Sequence, residues 1–245
     1  MNDEIDYSIH YKRWHKGTDE EYVAQSKLYG RLLNKVINNI PKDGKVLDYG
    51  CGSGLLVYFL TKQFLNVEGV DASSHQIETG LAHGLPVKHL PVLEYPKWAE
   101  DHKNYYDAIF LFDVLEHVPV VEQIAFLRKL VGTLKQSAPI FIKVPNANSL
   151  MAARWRYIDW THLSSFTECS LDFVCLNSGL KNVAYLDDET SLSPRYPWLP
   201  RWGLRNFYLR RLGRAIWRIY LGAEIGQEVN NVKLGINLFA KATKA

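Results

Sequence analysis

The chain is predicted to fold as a doubly wound α/β sheet of seven mostly parallel strands, with a helical insertion before the last strand. Three observations predict this. Short apolar runs alternate with stretches of helical periodicity along most of the chain. One strand passes into a helix through a glycine-rich turn, "KVLDYGCGSGLLVYFL". A later run, "YDAIFLFDV", is apolar almost throughout, as a strand covered on both faces must be.

The elements follow in order. "EEYVAQSKLYGRLLNKVINNI" carries apolar residues at helical spacing and stops at Pro41. "KVLDYG" is the first strand, and "LLVYFLTKQF" the helix beyond the glycines. "VEGVDA" is the second strand. The helix "SHQIETGLAHG" follows it, capped by Ser73 or Ser74 and ended by Gly84. "PVKHL" is a short third strand and "YDAIFLFDV" the fourth. "VEQIAFLRKLVGTLK" is an amphipathic helix leading to a fifth strand, "APIFIKVPN". "ECSLDFVCLNSGL" is helical, "KNVAYLDDE" extended, and "NNVKLGINLFAKATK" holds the final strand. No internal repeat or low-complexity tract interrupts the pattern.

Composition narrows the class. With 245 residues the chain can bury one sizeable core, and residues 1–245 read as a single domain. Apolar residues at 47% and charged residues at 22% suit a soluble globular protein. A net charge of +3 is too small to suggest nucleic acid by itself, and no DNA partner is expected. Cys51, Cys169 and Cys175 are odd in number and fall in predicted core elements, which argues against a disulfide framework and for a cytoplasmic setting. The N-terminal stretch is polar and aromatic and does not read as a signal peptide. No apolar run reaches the ~18 residues that a membrane span needs.

Gly50, Gly52 and Gly54 are spaced G-x-G-x-G, with Asp48 just before them. A nicotinamide fingerprint would place its third glycine at position 55, which is Leu55, and a P-loop would need a Lys-Ser or Lys-Thr pair that is absent. What remains is a loop on which a ligand can lie against backbone, beside a helix N-terminus that favours an anion. Asp48 could accept from an ammonium group or orient the loop. Asp71, about twenty residues on, stands where α/β proteins place an acid for two ribose hydroxyls. A ligand with an amino group, a carboxylate and a ribose satisfies all of these.

"VLDYGCGSG", "VEGVDAS", "YDAIFLFDVLEHVP" and "APIFIKVPN" resemble successive motifs of the class I S-adenosylmethionine-dependent methyltransferases, in order and spacing. The resemblance covers roughly residues 20–190 and the final strand. It implies S-adenosylmethionine as cofactor, with S-adenosylhomocysteine as its product. It further implies that Gly50, Cys51, Gly52 and Gly54 line the methionine and ribose moieties and that Asp71 takes the ribose hydroxyls. Ala72 would touch the adenine, and Asp113 and Val114 would close the site at the end of the fourth strand. Cys51 is expected to matter through its backbone N–H. The acid that the family often carries after the third strand is missing, because Pro91 lies near that place.

Methyl transfer is displacement at a sulfonium carbon, so the protein mainly aligns the reactants and excludes water. A nitrogen nucleophile needs no base, whereas a hydroxyl must lose its proton to a base or beside a metal. His117, in "DVLEHV", and His162, in "YIDWTHLSSF", are the residues expected on the substrate side, as base or orienting groups. "LEHV" with a downstream "TH" before a Phe resembles the quinone-precursor O-methyltransferases, and also bacterial methyltransferases acting on sugars and polysaccharides. Asp113, Glu116, His117 and His162 match the spacing by which related families ligate a divalent ion, but the expectation is a metal-free site.

Residues 190–229 form the insertion. Arg201, Arg205, Arg210, Arg211, Arg214 and Arg218 lie between Leu199 and Ala223 with no acid among them, so the rest of the chain is net acidic. On a helical wheel Tyr208, Leu209, Leu212, Ala215, Ile216, Ile219 and Tyr220 share one side and the arginines from Arg210 onward the other. Two arrangements are open: contact of this basic helix with a membrane surface or an anionic substrate, or packing of its apolar side on the domain with the arginines in water. RNA contact is less favoured, because no RNA-binding module accompanies it. Residues 1–22, with Tyr7, His10, Tyr11 and Trp14, are a lid or a tail. The function expected is O-methylation of a lipid-linked, polyprenylated or envelope-polysaccharide acceptor, in the cytoplasm or at the inner membrane face. The alternatives are a small-molecule or RNA N-methyltransferase and a cofactor-binding scaffold or sensor without turnover.

Overall fold

In a computed structural model, which describes residues 17–186 and 200–245 (the latter with side chains from 208 onward), strands and helices alternate as the sequence predicts. The order is α1 (Asp19–Leu33), β1 (Lys45–Tyr49), α2 (Leu55–Leu60), β2 (Asn66–Asp71), α3 (Ser74–Ala82), β3 (Val87–His89), α4 (Tyr95–Asp101) and β4 (Ala108–Phe112). Then come α5 (Gln123–Thr133), β5 (Pro139–Pro145), α6 (Ala152–Tyr157), α7 (Glu168–Asn177), β6 (Leu180–Leu186), α8 (Pro200–Ile225) and β7 (Asn237–Lys244). Of the N-terminal segment, residues 1–16, with Tyr7, His10, Tyr11 and Trp14, lie outside the described residues, as do the side chains of Arg201 and Arg205.

The seven strands form one mixed, mostly parallel sheet in the order β3-β2-β1-β4-β5-β7-β6. β1 is central to the first half, pairing in parallel with both β2 and β4, so that Asp48 lies opposite Gly69 on one side and Phe110 on the other. All five residues of β4 are buried, which explains their unbroken apolar run. The chain divides into two compact units. One runs through Phe112 and includes Lys129–Ile140; the other comprises Asp113–Arg128 and Phe141–Thr243.

Helix ends follow local chemistry. Thr18 caps α1, accepting from the Glu21 N–H, and three acids occupy its first turn, where the helix dipole favours them. Ser73 is the cap of α3, and Thr167 with Ser170 forms a reciprocal capping box on α7. The structure departs from the sequence reading at several ends. α1 stops at Leu33, yet Ile37 and Ile40 stay buried through the turns that follow, so apolar spacing outlasts the helix. α2 ends at Leu60 instead of Phe64, β7 begins only at Asn237, and the short helices α4 and α6 were not foreseen.

Candidate active site

In the first unit the carboxyl ends of β1 and β2 shape the glycine turn. The N–H groups of Gly50 and Cys51 both donate to the Val70 carbonyl, at 2.8 and 3.1 Å, which folds the turn back on β2. The Gly52 N–H donates to Asp71 Oδ2 at 2.8 Å, and the Ser73 N–H to Asp71 Oδ1 at 2.7 Å. Asp71 therefore fixes the turn and the start of α3 together. Each carboxylate oxygen keeps a lone pair for a ligand hydroxyl. Burial raises the Asp71 pKa, against the opposing effect of those two N–H groups.

Gly54 ends the turn at φ 83°, and a Cβ there would stand 2.8 Å from Leu85 Cδ1. Both the left-handed backbone and the close packing require glycine. The Cys51 thiol is buried and pushed well above its usual range by burial, then by Asp48 and Asp71, which disfavours the thiolate, and the residue's backbone N–H is bonded to the Val70 carbonyl. Asp48 is buried at the end of β1. The Ala72 carbonyl accepts from His89 Nε2 at 2.9 Å.

Two residues of this turn escaped the sequence reading. Tyr22 of α1 donates its hydroxyl to the Ser53 carbonyl at 2.6 Å, pinning the turn from outside. Gln76 of α3 holds a buried side-chain oxygen without a hydrogen-bond partner, 3.8 Å from where a Cβ on Gly52 would stand. Such an acceptor beside the glycines suits a ligand donor. No motif marks either residue.

The second unit builds another cluster. Asp113 follows β4 in a left-handed conformation, φ 55°, its N–H donating to the Lys143 carbonyl and its carboxylate paired with the Lys143 ammonium. Val114 begins the 3-10 turn Leu115–His117, and its carbonyl accepts from the His117 N–H. The loop after α6 is drawn over this turn by backbone bonds: Leu163 N–H donates to the Glu116 carbonyl at 2.7 Å. Gln123, 2% exposed, locks the arrangement, its amide donating to the Leu115 and Val118 carbonyls and to Ser164 Oγ.

Those bonds bring Glu116, His117 and His162 together, with one ligand atom from each lying within 4.8 Å of the others. The tautomers can be worked out. The Thr161 hydroxyl donates to Asp159 Oδ1 at 2.6 Å, so at 2.8 Å from His117 Nδ1 it must accept; Nδ1 carries the proton. His162 Nδ1 faces the Trp155 carbonyl at 2.8 Å and is likewise a donor. In each ring Nε2 is thus the nitrogen left to face the cluster. His117 is held below its ordinary pKa by burial and then by His162, which keeps it neutral. Glu116 is fully buried, neither carboxylate oxygen has a hydrogen-bond partner, and burial, followed by Asp113, raises its pKa well above the usual range.

Gln123→Leu tests the lock. Two amide protons are lost from three acceptors, of which the Leu115 carbonyl keeps the Val118 N–H, so we expect a loss of roughly 2 kcal/mol in urea unfolding. An unchanged midpoint would show the loop to be held by its backbone bonds alone.

A family profile described as a methyltransferase domain matches residues 20–185, well over half of the chain. The chain belongs to the class I S-adenosylmethionine-dependent methyltransferases. Among curated relatives, the ubiquinone biosynthesis O-methyltransferase of Rickettsia bellii is 30% identical over 146 residues, which cover 56% of this chain and 59% of that one. The chain thus spans little more than half the length of that relative. A methyltransferase structure from Archaeoglobus fulgidus superposes with a TM-score of 0.64 at 19% identity, covering 98% of this chain and all of the other. The 1,6-didemethyltoxoflavin N1-methyltransferase of Burkholderia thailandensis, solved with S-adenosylhomocysteine, gives a TM-score of 0.51 at 16% identity, covering 96% and 83% of the two chains. Since these likenesses join proteins named for oxygen and nitrogen methylation, fold alone does not set this methyltransferase's acceptor.

Proposed function

We propose that this methyltransferase moves the methyl group of S-adenosylmethionine to an oxygen of a lipid-linked, polyprenylated or envelope-polysaccharide acceptor. The observation that carries the oxygen assignment is the His117 imidazole, whose Nδ1 donates to Thr161 and whose lowered pKa leaves Nε2 able to accept a proton, a group that a nitrogen nucleophile would not require. The R. bellii relative, named as an O-methyltransferase, supports the same reading.

When bound, S-adenosylmethionine supplies an electrophilic methyl whose C–S bond breaks as the acceptor oxygen bonds to carbon. The turn at Gly50–Gly54, Asp71 and Gln76 would hold it, Asp71 through ribose hydroxyls. His117 Nε2 takes the proton that leaves the acceptor hydroxyl, while Thr161 and Asp159 steady the imidazolium that results. His162, fixed by Trp155, orients the acceptor.

One observation favours a second reading, in which a divalent cation assists. A buried carboxyl group with neither oxygen hydrogen-bonded, one of them 4.0 Å from His162 Nε2, is with the two imidazole Nε2 atoms a fitting donor set, and each imidazole's Nδ1 is already engaged, as in metal-ligating histidines generally. Glu116, His117 and His162 would hold the ion, whose charge would ease ionisation of the acceptor hydroxyl. We expect Mn²⁺ or Zn²⁺ to raise the melting temperature of chelator-treated protein, and Glu116→Gln to abolish that shift. No shift with either ion leaves the histidine base as the mechanism.

The acceptor is tested with methyl-labelled cofactor and a host lysate split into lipid, polysaccharide, protein, RNA and small-molecule fractions. Label in lipid or polysaccharide supports the proposal. Label confined to RNA, protein or soluble metabolites points to the N-methyltransferase reading, and cofactor binding without label to a sensor. Among the described residues no helix is long and apolar enough to cross a membrane.

A further inference from the structure

Helix α8 is fastened to its unit by polar bonds and turns its apolar side out. Trp217 Nε1 donates to the Asn148 carbonyl at 2.9 Å, and the Arg218 guanidinium to the carbonyls of Val229 and Val232 at 2.6 and 3.0 Å. Tyr208, Leu209, Leu212, Ile216, Ile219 and Tyr220, an arc of roughly 120° at 100° per residue, are each 55–75% exposed. The arrangement with apolar residues packed inward is therefore overturned. Within the arc, Leu209, Leu212, Ile216, Ile219 and Ala223 follow one another at steps of three, four, three and four, the spacing by which one helix presents a continuous seam to another. The positions flanking that seam are Tyr208, Gly213, Ala215, Tyr220 and Gly222, so no charge lies on it or beside it.

We infer that this seam is the contact surface of a homodimer, in which α8 packs against α8 of a second copy. Three observations select that occupant. The first is the spacing. A helix with the same seam offers the holes that these side chains fill as knobs, and a two-fold contact uses one patch twice. The second is Gly213. Glycine costs stability inside a helix, and a Cβ at Gly213 would meet nothing within 4 Å, so its own chain does not call for glycine there. Beside the seam, the missing side chain lets a second helix approach closely. The third is area. At roughly 100 Å² of exposed surface for each of the six apolar and aromatic side chains, the contact would bury about 600 Å² per copy, the lower end of what specific interfaces need. Tyr220 is already set for it, its ring stacked on Trp217 with centroids 5.4 Å apart and Trp217 held by Asn148. Aromatic anchors of this kind dominate interface energetics. The arginines take no part: Arg218 is bonded to carbonyls, and Arg210, Arg211 and Arg214 have interactions of their own. Dimerisation is read without turnover, so the inference stands apart from the choice of acceptor.

The test is sedimentation of the full chain between about 1 and 100 µM. Wild-type protein is expected to be dimeric toward the upper end of that range. Ile216→Ser with Ile219→Ser should raise the dimer dissociation constant on the order of 10²–10³-fold, because a two-fold contact carries each substitution twice. Gly213→Ala should raise it about tenfold by holding the helices apart, while helicity does not fall, since alanine is the better helix former. Ile216 and Ile219 are exposed in the single chain, so circular dichroism should not change; Leu209→Ser with Leu212→Ser repeats the test should the first pair unfold. Wild-type protein that stays monomeric at the highest concentration, or any of these variants dimerising as tightly as wild type, overturns the inference. Monomeric protein that floats with phosphatidylglycerol vesicles also overturns it, and would assign the face to a membrane instead.

Discussion

Replacing His117 by asparagine is expected to lower methyl transfer by a factor on the order of 10²–10⁴ while leaving S-adenosylhomocysteine affinity unchanged. Asparagine can place an amide N–H near the position of Nδ1 and so keep the bond to Thr161, but nothing replaces Nε2. The substitution therefore removes the proton acceptor and spares the chain through Asp159 that positions it. Burial already holds the imidazole neutral, so wild-type protein needs no activation to accept a proton at neutral pH. His162→Asn is expected to act mainly on acceptor KM, because that ring is tied to Trp155 and orients more than it reacts. Turnover and product affinity are measured side by side, by radiolabel transfer and calorimetry. Turnover within about threefold of wild type in both variants would mean that the nucleophile has no proton to lose in the rate-limiting step. Loss of cofactor affinity along with turnover would instead give His117 a structural role.

Much of this was legible in the sequence because it depends on backbone constraints that residue types report directly. Glycines at Gly50, Gly52 and Gly54 all have positive φ, a demand that few other residues meet. Asp71 at a strand end and Ser73 as a cap are likewise local signals, and the structure puts each where its chemistry places it. Tyr22, Gln76 and Gln123 were not legible, since their partners are distant in sequence or absent. Tyr22 reaches Ser53, 31 residues on, and Gln123 reaches Ser164, 41 residues on. Lys143 left a faint trace, a lone charge inside the apolar run of β5, which its pairing with Asp113 explains. The orientation of α8 could not be read at all. A helical wheel shows that two sides differ, but which side turns inward is decided by the carbonyls of Asn148, Val229 and Val232, which offer acceptors to Trp217 and Arg218. Periodicity carries no information about those acceptors.

Asp71→Ala is expected to weaken S-adenosylhomocysteine binding on the order of 10²–10³-fold, the largest effect of any change at the glycine turn. Two losses combine. The ribose hydroxyls lose a charged acceptor, and hydrogen bonds to charged groups contribute about 1.5–3 kcal/mol each. The Gly52 and Ser73 N–H groups also lose their common partner, which frees the turn to leave its binding conformation. The second loss is present without ligand, so the cofactor-free protein should also unfold at lower urea, by about 1–3 kcal/mol. Asp71→Asn separates the two. One amide oxygen can still accept a backbone N–H, but the amide NH₂ opposes the other, so the turn is half-held and affinity should fall between the two cases. If Asp71→Ala lowers stability and leaves affinity untouched, Asp71 is a pin for the turn and the ribose must be held elsewhere. If affinity falls with stability unchanged, the turn is held by the Val70 carbonyl, which accepts from both Gly50 and Cys51, and the carboxylate serves the ligand alone. The expected result, both falling together, would mean that one side chain shapes the turn and grips what the turn is shaped to receive.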